Sequence, residues 1–320
     1  MMSRARTLPA TIALLLGFVA LAMVLALAWG NGRFEWPGGA MDWRIVAEIR
    51  LPRAIAALAT GSLLALAGAL MQVLLRNPLA DPYVLGVSGG AAAFALAAMV
   101  FGITFVPVEL AAFAGALTSS VAVFVLAHGR GPWSTARMLL TGVVVAAGWG
   151  AVISLMLALG DDRSLRGMLF WLMGDLGYAR VAPGWLAALA AVVAVLMLRA
   201  RSLNVLAAGE TQAALLGEEP RRRYTEIYVA ASALTALAVS IAGTIGFVGL
   251  IVPHLMRLVV GADHRRLLPA AALFGGGFLV VADTLARNVF SPRQLPVGVL
   301  TALIGVPLFL LLLNRSGGRK

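Results

Sequence analysis

Residues 65–90 read ALAGALMQVLLRNPLADPYVLGVSGG, and this stretch decides the fold. It starts as an apolar helix built from small residues and then meets Pro78 and Pro82. Because each proline disfavours helical backbone at the residue before it, the helix stops near Asn77 and restarts beyond Pro82. The stretch therefore predicts two helices joined by a tight, specified turn.

Apolar stretches of this kind recur along the whole chain. Hydrophobic residues make up 61% of its 320 residues and charged residues only 12%, whereas soluble domains carry about 25% charged residues. A spanning helix needs about 20 mostly apolar residues. We therefore predict an all-α polytopic membrane protein, with residues 1–320 forming a single transmembrane domain. About ten spans are expected, at 8–29, 54–75, 84–103, 107–128, 138–159, 183–199, 225–246, 249–260, 267–286 and 295–313.

The distribution of basic residues predicts the orientation. On the ten-span topology, 16 of the 25 Lys and Arg residues lie on the side of the N-terminus and 9 lie on the other side. Basic residues are enriched in the cytoplasmic loops of membrane proteins, so both termini are expected in the cytoplasm. The net charge of +11 is carried by short breaks between spans, where it flanks the bilayer and does not indicate a nucleic-acid partner.

Ionisable residues inside the predicted spans are scarce. Asp283 is the only carboxylate deep in a span, and Arg287 follows it at the spacing of an intrahelical ion pair. A structural pair and a transport role both remain open for it. A carrier driven by a proton or sodium gradient usually needs several such carboxylates, so the sequence favours another energy source.

The chain does not supply that energy itself. A phosphate-binding P-loop needs a Gly-Lys-Ser/Thr sequence, and the sole lysine is Lys320, the last residue. Any ATPase is therefore expected to be a separate subunit.

The eighth span, at 249–260, is short and interrupted by Pro253. With no cysteine present, disulfides and thiol chemistry are excluded.

The segment RARSLNVLAAGETQAALLGEEPRRR, at 199–223, is the longest on the inner side. Asn204 is predicted to cap a short helix over 205–208, and Thr211 a second helix that runs to Leu216. Gly209 and Gly217 are placed to end them. Two short amphipathic helices on the inner surface would form a contact for a motor subunit; the alternative is a solvated linker.

The two halves of the chain share a weak internal sequence similarity. The tripeptide LAG at 66–68 precedes the first inner turn, and IAG at 241–243 precedes the segment 261–263. On the predicted topology these follow helices of opposite direction, as in an inverted repeat. The spacings differ by seven residues, so a chance match is the alternative.

Several spaced motifs resemble the FecCD or vitamin B12-type permeases of binding-protein-dependent ABC importers. The resemblance runs from about Ile49 to Leu313 and rests on RLPR at 50–53, the segment 77–90, LFWLMG at 169–174, and the segments 203–217, 246–254 and 295–307. It implies a type II ABC importer permease fold. The function implied is import of an iron-siderophore, haem or cobalamin-type chelate; a dedicated cobalamin importer and a gradient-driven carrier are the alternatives.

The resemblance also implies partners and a location. The permease would pair as a homodimer in the bacterial inner membrane, with two cytoplasmic ATPase subunits below and a periplasmic substrate-binding protein above. The translocation path would lie at the dimer interface, lined largely by the fifth and tenth spans. No catalytic residue, metal site or cofactor is expected in this chain.

The site residues are carried over from the motifs of the family. Binding-protein docking would use three outer arginines, Arg50, Arg53 and Arg287. The coupling contact with the ATPase would involve Asn204, Leu206, Glu210, Leu215 and Gly217. The cytoplasmic gate would be formed by Asn77, Leu79, Ser134, Thr135 and Ala136. At Gln294 family members often carry an acid, which puts a charge-based role at that position in doubt.

Overall fold

The structure, a computed structural model, describes residues 8–30, 32–34, 36–128, 134–177, 179 and 181–317. Its helices are α1 Leu8–Ala28, α2 Ala40–Ile45, α3 Leu51–Leu74, α4 Val87–Val100, α5 Val108–His128, α6 Thr135–Leu159, α7 Asp162–Leu172, α8 Trp185–Leu198, α9 Ala200–Ala207, α10 Glu210–Leu215, α11 Pro220–Ala242, α12 Val248–Val260, α13 His264–Asn288 and α14 Val297–Gly317. Two-residue strands, β1 Trp29–Gly30 and β2 Arg33–Phe34, form a small antiparallel hairpin. The chain is therefore an all-α protein, as predicted.

Six helical segments within the described residues are long and apolar enough to cross a membrane. They are α1, the continuous stretch Ala40–Leu74, α5, α6, α11 and α13, and a seventh is added if α8 and α9, bent by 54° at their junction, count as one. Three apolar helical segments are shorter, namely α4, α12 and the part Val297–Leu312 of α14. Every predicted span coincides with one of these helices, although the short ones fall below the about 20 residues of a full crossing.

The stretch 65–90 folds as its prolines predict. Helix α3 ends at Leu74, and the turn passes through Arg76, which has a positive φ of 49°. Asp81 then caps a short 3₁₀ helix, Pro82–Leu85, by accepting a hydrogen bond from the Tyr83 N–H at 2.8 Å. Gly86, with a φ of 70°, leads into α4. A left-handed residue at this point is what a glycine accommodates without strain.

Helix α3 is the centre of the fold and packs against α11, α12 and α13. It runs antiparallel to α13 with very close backbone approach, since a Cβ placed on Gly61 would overlap with the Gly275 carbonyl. The Ser62 hydroxyl donates to the Ala272 carbonyl at 2.7 Å. Small residues let these helices meet backbone to backbone, as is typical inside a membrane. We call the end of the bundle with Arg53 and Asn288 the outer end.

The expectation that Pro253 interrupts the eighth span is wrong. Helix α12 continues through Pro253. Proline has no N–H, so the one carbonyl left without its helical partner is that of Gly249. That carbonyl lies directly against Gly68 of α3, and the helix tolerates the proline because the affected carbonyl packs on a glycine backbone.

The two short inner helices exist, but their bounds and caps differ from the prediction. Helix α9 begins five residues before the predicted 205–208, and Asn204 lies inside it rather than capping it. Helix α10 is preceded by Gly209, with a φ of 127°, instead of being capped by Thr211. The Asn204 side chain is not available to the backbone of α9 because it binds the start of α13. Gly217 has a φ of 82° and follows α10 as predicted.

Candidate functional site

The outer end of α3 holds a buried ion pair that connects distant parts of the chain. The guanidinium of Arg53 donates two hydrogen bonds to the carboxylate of Asp283, with Nε 3.0 Å from Oδ2 and Nη2 2.8 Å from Oδ1. Both side chains are almost fully buried, at 7% and 2% residue exposure. A bidentate pair of this kind is geometrically specific and strong. It locks the outer end of α3 to the outer end of α13.

The other two predicted docking arginines belong to the same cluster. Arg287 Nε lies 3.3 Å from Asp283 Oδ2, and its Nη2 donates to the Ala26 carbonyl at 3.2 Å. Arg50 Nη1 donates to the Leu27 carbonyl at 2.6 Å. Two arginines, Arg53 and Arg287, therefore share one carboxylate, and Arg50 lies beside them near the end of α1. We call Arg50, Arg53, Asp283 and Arg287 the outer cluster.

The outer cluster constrains the docking prediction. Arg53 and Arg287 are already paired with Asp283, so an incoming carboxylate has to compete with a buried partner for them. Arg50 is half-buried, and its guanidinium donates to a neutral carbonyl. Gln294 joins the cluster, since its Oε1 accepts from Arg53 Nη1 at 3.1 Å. The position where the family often carries an acid therefore faces a guanidinium.

A cavity of about 760 Å³ opens beside the outer cluster. It lies between α7 and the outer ends of α5 and α11, and Gln294 is part of its wall. Arg166 and Phe170 on the α7 wall are in cation–π contact, 5.5 Å from guanidinium to ring centroid. The wall also contains carboxylates, Glu109 and Asp175, so both signs of charge face this space.

The predicted gate residues lie in two segments, one directly after the end of α3 and one at the beginning of α6. Asn77 Oδ1 accepts from the Leu79 N–H at 2.9 Å and stabilises the turn after α3. Ser134 caps α6, its Oγ accepting from the Arg137 N–H at 3.3 Å, and Thr135 and Ala136 are the first residues of that helix.

Helix α6 is hydrogen-bonded to the segment that leads from the turn into α4. The sequence did not predict this contact. Trp149 Nε1 donates to Ser119 Oγ at 2.9 Å, and that hydroxyl donates to the Gly86 carbonyl at 2.8 Å. Gly142, two turns into α6, has its Cα against the Val84 carbonyl. Helices α4, α5 and α6 therefore meet at the 3₁₀ helix that follows the turn. Only the fold brings these residues together, because they are distant in the chain.

The predicted coupling residues divide into buried and exposed groups. Leu206 is buried, at 1% exposure, and anchors α9 in the bundle. Leu215 is 82% exposed and its neighbour Leu216 is 69% exposed. Glu210 and Gly217 are exposed as well. We call Leu215 and Leu216 the α10 apolar tip; it is the part of this segment that is open to a partner.

The side chain of Asn204 is hydrogen-bonded to the beginning of α13. Its Nδ2 donates to Asp263 Oδ1 at 2.7 Å, and its Oδ1 accepts from the His264 N–H at 2.9 Å and lies 2.6 Å from His264 Nδ1. The hydrogen bond from Asn204 lowers the pKa of the Asp263 carboxyl. Asp263 also caps α13 through the Arg265 N–H at 3.0 Å. We call Asn204, Asp263 and His264 the inner clamp.

Helices α1, α5, α6, α8 and α14 keep exposed apolar side chains in the monomer, and two of them, α6 and α14, matter for the predicted translocation path. On α6 the exposed apolar side chains are Leu140, Val143, Val144, Leu155 and Leu159. On α14 they are Leu303, Ile304, Val306, Leu310 and Leu311. These are the helices that correspond to the fifth and tenth predicted spans. Faces of this kind meet lipid or another protein surface.

Comparisons with known proteins agree with this architecture. A permease named as part of a cobalamin import system of Halobacterium salinarum is 49% identical over 84% of this chain and 73% of its own length. A permease named as part of a hemin transport system of Yersinia pestis is 39% identical over 95% of this chain and 96% of its own. Both alignments cover most of the helical bundle described above.

Solved structures show the same likeness. One described as an inward-facing conformation of a metal-chelate type ABC transporter superposes with a TM-score of 0.87 at 30% identity, covering 96% of this chain and 99% of that one. PsaBC from Streptococcus pneumoniae shares the fold alone, with a TM-score of 0.55 at 15% identity. The family model of the FecCD transport family matches residues 7–315. The chain belongs to the FecCD transport family.

Proposed function

We propose that this chain is the membrane-spanning permease subunit of an ATP-driven importer for metal-chelate or corrinoid cargo. It works as a homodimer, with two ATPase subunits on the cytoplasmic side and a substrate-binding protein on the outer side. Its ten apolar helical segments cross the inner membrane as ten spans, with both termini in the cytoplasm. The three short apolar helices complete their crossings through adjoining turns.

The observation that carries the proposal is the inner segment α9–α10. A pair of exposed leucines, the α10 apolar tip, projects from a short helix whose neighbour α9 is anchored by buried Leu206. Exposed leucines next to exposed charges on a soluble face are unfavourable unless a partner covers them. An ATPase subunit that closes on ATP would move this tip and, through α9, the bundle.

The membrane interior favours an external energy source. Among the described residues, Asp283 is the one carboxylate buried inside a long apolar helix, and it is paired with two arginines. A carboxylate held in this way is poorly suited to bind and release a proton or sodium ion. This supports an importer over a gradient-driven carrier.

The exposed faces of α6 and α14 are proposed to form the dimer interface and the wall of the translocation path. Both faces consist of aliphatic side chains and small residues, and the open space at Gly148 and Gly150 of α6 is not filled by the monomer. A wall of low polarity lets a bulky chelate pass without being held tightly. Alternating access would then be a rocking of two such walls.

Docking of the binding protein is proposed at the outer cluster. Arginine forks suit carboxylates on a partner, and the cluster has three arginines for one aspartate. Arg50 is the first contact, because its guanidinium is not held by Asp283. Arg53 and Arg287 would bind a carboxylate of the binding protein only if their ion pairs with Asp283 loosen.

The inverted repeat is part of the proposal as well. Helices α4 and α12 both begin directly after a residue in the left-handed conformation, Gly86 with φ 70° and Phe247 with φ 69°. In each case the preceding break follows a long helix, α3 or α11. The tripeptides at 66–68 and 241–243 do not occupy equivalent places, since Gly68 lies within α3 and Gly243 ends α11.

The cargo class comes from the relatives. Two permeases that are similar to most of this chain are named for cobalamin and for hemin transport. We therefore propose that the cargo is an iron-siderophore, haem or cobalamin-type chelate. A path with few polar contacts leaves the selection among these to the binding protein. The higher identity to the cobalamin-related permease makes cobalamin the first cargo to assay.

The experiment reconstitutes the chain in liposomes with its cognate ATPase and binding protein and measures ATP hydrolysis. A Leu215→Arg variant tests the α10 apolar tip, and Met41→Arg, another strongly exposed apolar position at the outer end, is the matched control. Leu206 is excluded from substitution because it is buried and its loss would disturb folding. Cobalamin, haem and a ferric siderophore are supplied in separate arms.

We expect loaded binding protein to stimulate hydrolysis in the intact complex and in Met41→Arg, and the ATPase to be lost from Leu215→Arg on co-purification. If Leu215→Arg binds the ATPase and is stimulated as the intact protein is, the tip is not the coupling contact. If no ATPase associates and uptake follows a proton or sodium gradient, the importer assignment is wrong.

A further inference from the structure

The inner clamp uses almost the whole hydrogen-bonding capacity of one amide. Asn204 donates to Asp263 through Nδ2, and its Oδ1 receives both the backbone N–H and Nδ1 of His264. Because an amide oxygen only accepts, His264 must carry its proton on Nδ1. A carboxylate at position 204 would lose the donor and face Asp263 at hydrogen-bond distance. The site therefore selects asparagine for a reason of geometry.

The clamp is not required to build either helix. Asp263 already caps α13 through the Arg265 N–H, so Asn204, which receives the His264 N–H, is not the sole cap of α13. Helix α9 is eight residues long, too short to be stable by itself in water, but Leu203 and Leu206 are buried and hold it in place. What Asn204 adds is the orientation of α9 relative to α13.

Helix α13 connects the inner clamp to the outer cluster. Asp263 and Asp283 are 20 residues apart, which is about 30 Å at the rise of an α-helix and about the thickness of the hydrocarbon core. One end is bound to α9 by Asn204, and the other end is bound to Arg53 of α3. Between them, Gly61–Gly275 and Ser62–Ala272 contacts keep α13 on α3.

We propose that Asn204 is a positioning residue that joins the coupling segment to α13, so that α13 transmits docking at the outer cluster to the α10 apolar tip, and ATP-driven movement of the tip back to the outer cluster. This inference rests on the proposed function. It assigns Asn204 a role inside the bundle, instead of a direct contact with the ATPase. Transmission then depends on a side-chain contact that no helix needs for its own stability.

The first test is made on the permease alone and does not depend on any partner. The chain contains no cysteine, so spin labels at Arg201→Cys and Arg266→Cys, both exposed positions on α9 and α13, report one distance by pulsed electron resonance. We expect a narrow distance distribution in the labelled parent and a clearly broader or shifted one after Asn204→Ala. An unchanged distribution would overturn the clamp.

The second test measures the ratio of hydrolysis with loaded binding protein to hydrolysis without it. We expect Asn204→Ala to lower this ratio at least about twofold, the low end for a residue that carries coupling, and Asn204→Asp to lower it further, because two carboxylates then meet. Adding Asp263→Asn to Asn204→Asp restores a donor and an acceptor with exchanged roles, while asparagine still caps a helix. The paired variant should recover part of the ratio.

Arg265→Ala is the matched control, since it changes an exposed side chain beside the clamp and leaves the Asn204 hydrogen bonds intact. A ratio in Asn204→Ala equal to that of the intact complex, or no recovery in the paired variant, contradicts transmission through the clamp. If the intact complex shows no stimulated hydrolysis at all, the proposed function fails, and the distance measurement still decides whether Asn204 fixes α9 to α13.

Discussion

Asp283 shows how much one buried side chain can organise. It accepts hydrogen bonds from Arg53, which is 230 positions away in the chain, and it is also within 3.3 Å of Arg287 on its own helix. The sequence predicted only the second contact, because the spacing of four residues is visible in it. The sequence alone leaves a structural and a transport role open for Asp283, and the geometry makes it the shared partner of Arg53 and Arg287.

Replacing Asp283 by asparagine should destabilise the protein strongly. The Asp283→Asn variant leaves two buried guanidinium groups without their counter-charge, and breaking a buried pair from one side costs about 3–5 kcal/mol. Thermal unfolding in detergent measures this as a lowered Tm. Arg44→Ala is the control, since its pair with Glu48 is exposed and long at 3.6 Å, and surface pairs contribute little. Equal melting temperatures for the two variants would contradict the buried pair.

Asp81 makes the turn after α3 sensitive to pH. Burial raises the pKa of this carboxyl from 3.8 to about 6. The folded state therefore prefers the protonated form, so this contribution to stability is complete below about pH 4 and is lost as the pH rises through about 6. Asp81→Asn keeps an acceptor for the Tyr83 N–H and has no charge to bury. We expect the variant to be more stable than the parent at about pH 8, by ~1–3 kcal/mol, and to match it at about pH 4.

That expectation is checked by unfolding both proteins across this pH range. A parallel pH dependence in the parent and in Asp81→Asn would show that the titrating group is another one.

At the scale of elements, glycines decide which helices touch. Gly61 meets Gly275 across α3 and α13, and Gly68 meets Gly249 across α3 and α12. The sequence shows small residues in α3, but it does not predict which helices they meet. Helix α12 passes through Pro253 because the carbonyl that proline leaves unpaired is placed against Gly68.

A methyl group on Gly68 should separate α3 from α12. In Gly68→Ala the Cβ overlaps with the Gly249 carbonyl, which is backbone and cannot rotate away. Overpacking of this kind costs about 1–3 kcal/mol. The control is Gly17→Ala on α1, where a Cβ meets open space and an alanine should be neutral or stabilising. A Tm for Gly68→Ala at or above that of Gly17→Ala would mean that the contact is looser than described.

At the scale of the whole molecule, the monomer leaves apolar helix faces uncovered. Helix α3 is surrounded on all sides, whereas α6 and α14 expose aliphatic faces. Both helices are connected to the core at one side only, α6 through the Trp149–Ser119 contact. The second copy of the chain in the proposed dimer would cover these faces.

A single cysteine in this cysteine-free chain reports where the second copy lies. Val144 is 71% exposed on the free face of α6, and Val144→Cys should give a covalent dimer with a short bifunctional thiol reagent in the membrane. Leu16→Cys, 52% exposed on α1, is the control and should stay monomeric because α1 faces lipid in the proposed dimer. Cross-linking at Leu16→Cys but not at Val144→Cys would place the interface elsewhere.

The sequence by itself determined the class of protein. The distribution of arginines predicts an orientation for the chain, and that orientation stays a prediction. Apolar length and the two prolines at 78 and 82 are local or compositional properties, and they suffice to predict helices and the turn after α3. The coupling segment was found as two short helices for the same reason. Its caps were wrong, because Asn204 has a partner 59 residues away.

Only the tertiary structure decided which side chains share a site. The Arg53–Asp283 pair, the Asn204 clamp and the Trp149–Ser119 contact join residues between 30 and 230 positions apart, and no spacing rule connects such positions. The burial of Leu206 beside the exposure of Leu215 is likewise set by which face of each short helix meets the bundle. Local patterns predict an element because its forces are local; a site assembled across a membrane depends on how the elements pack.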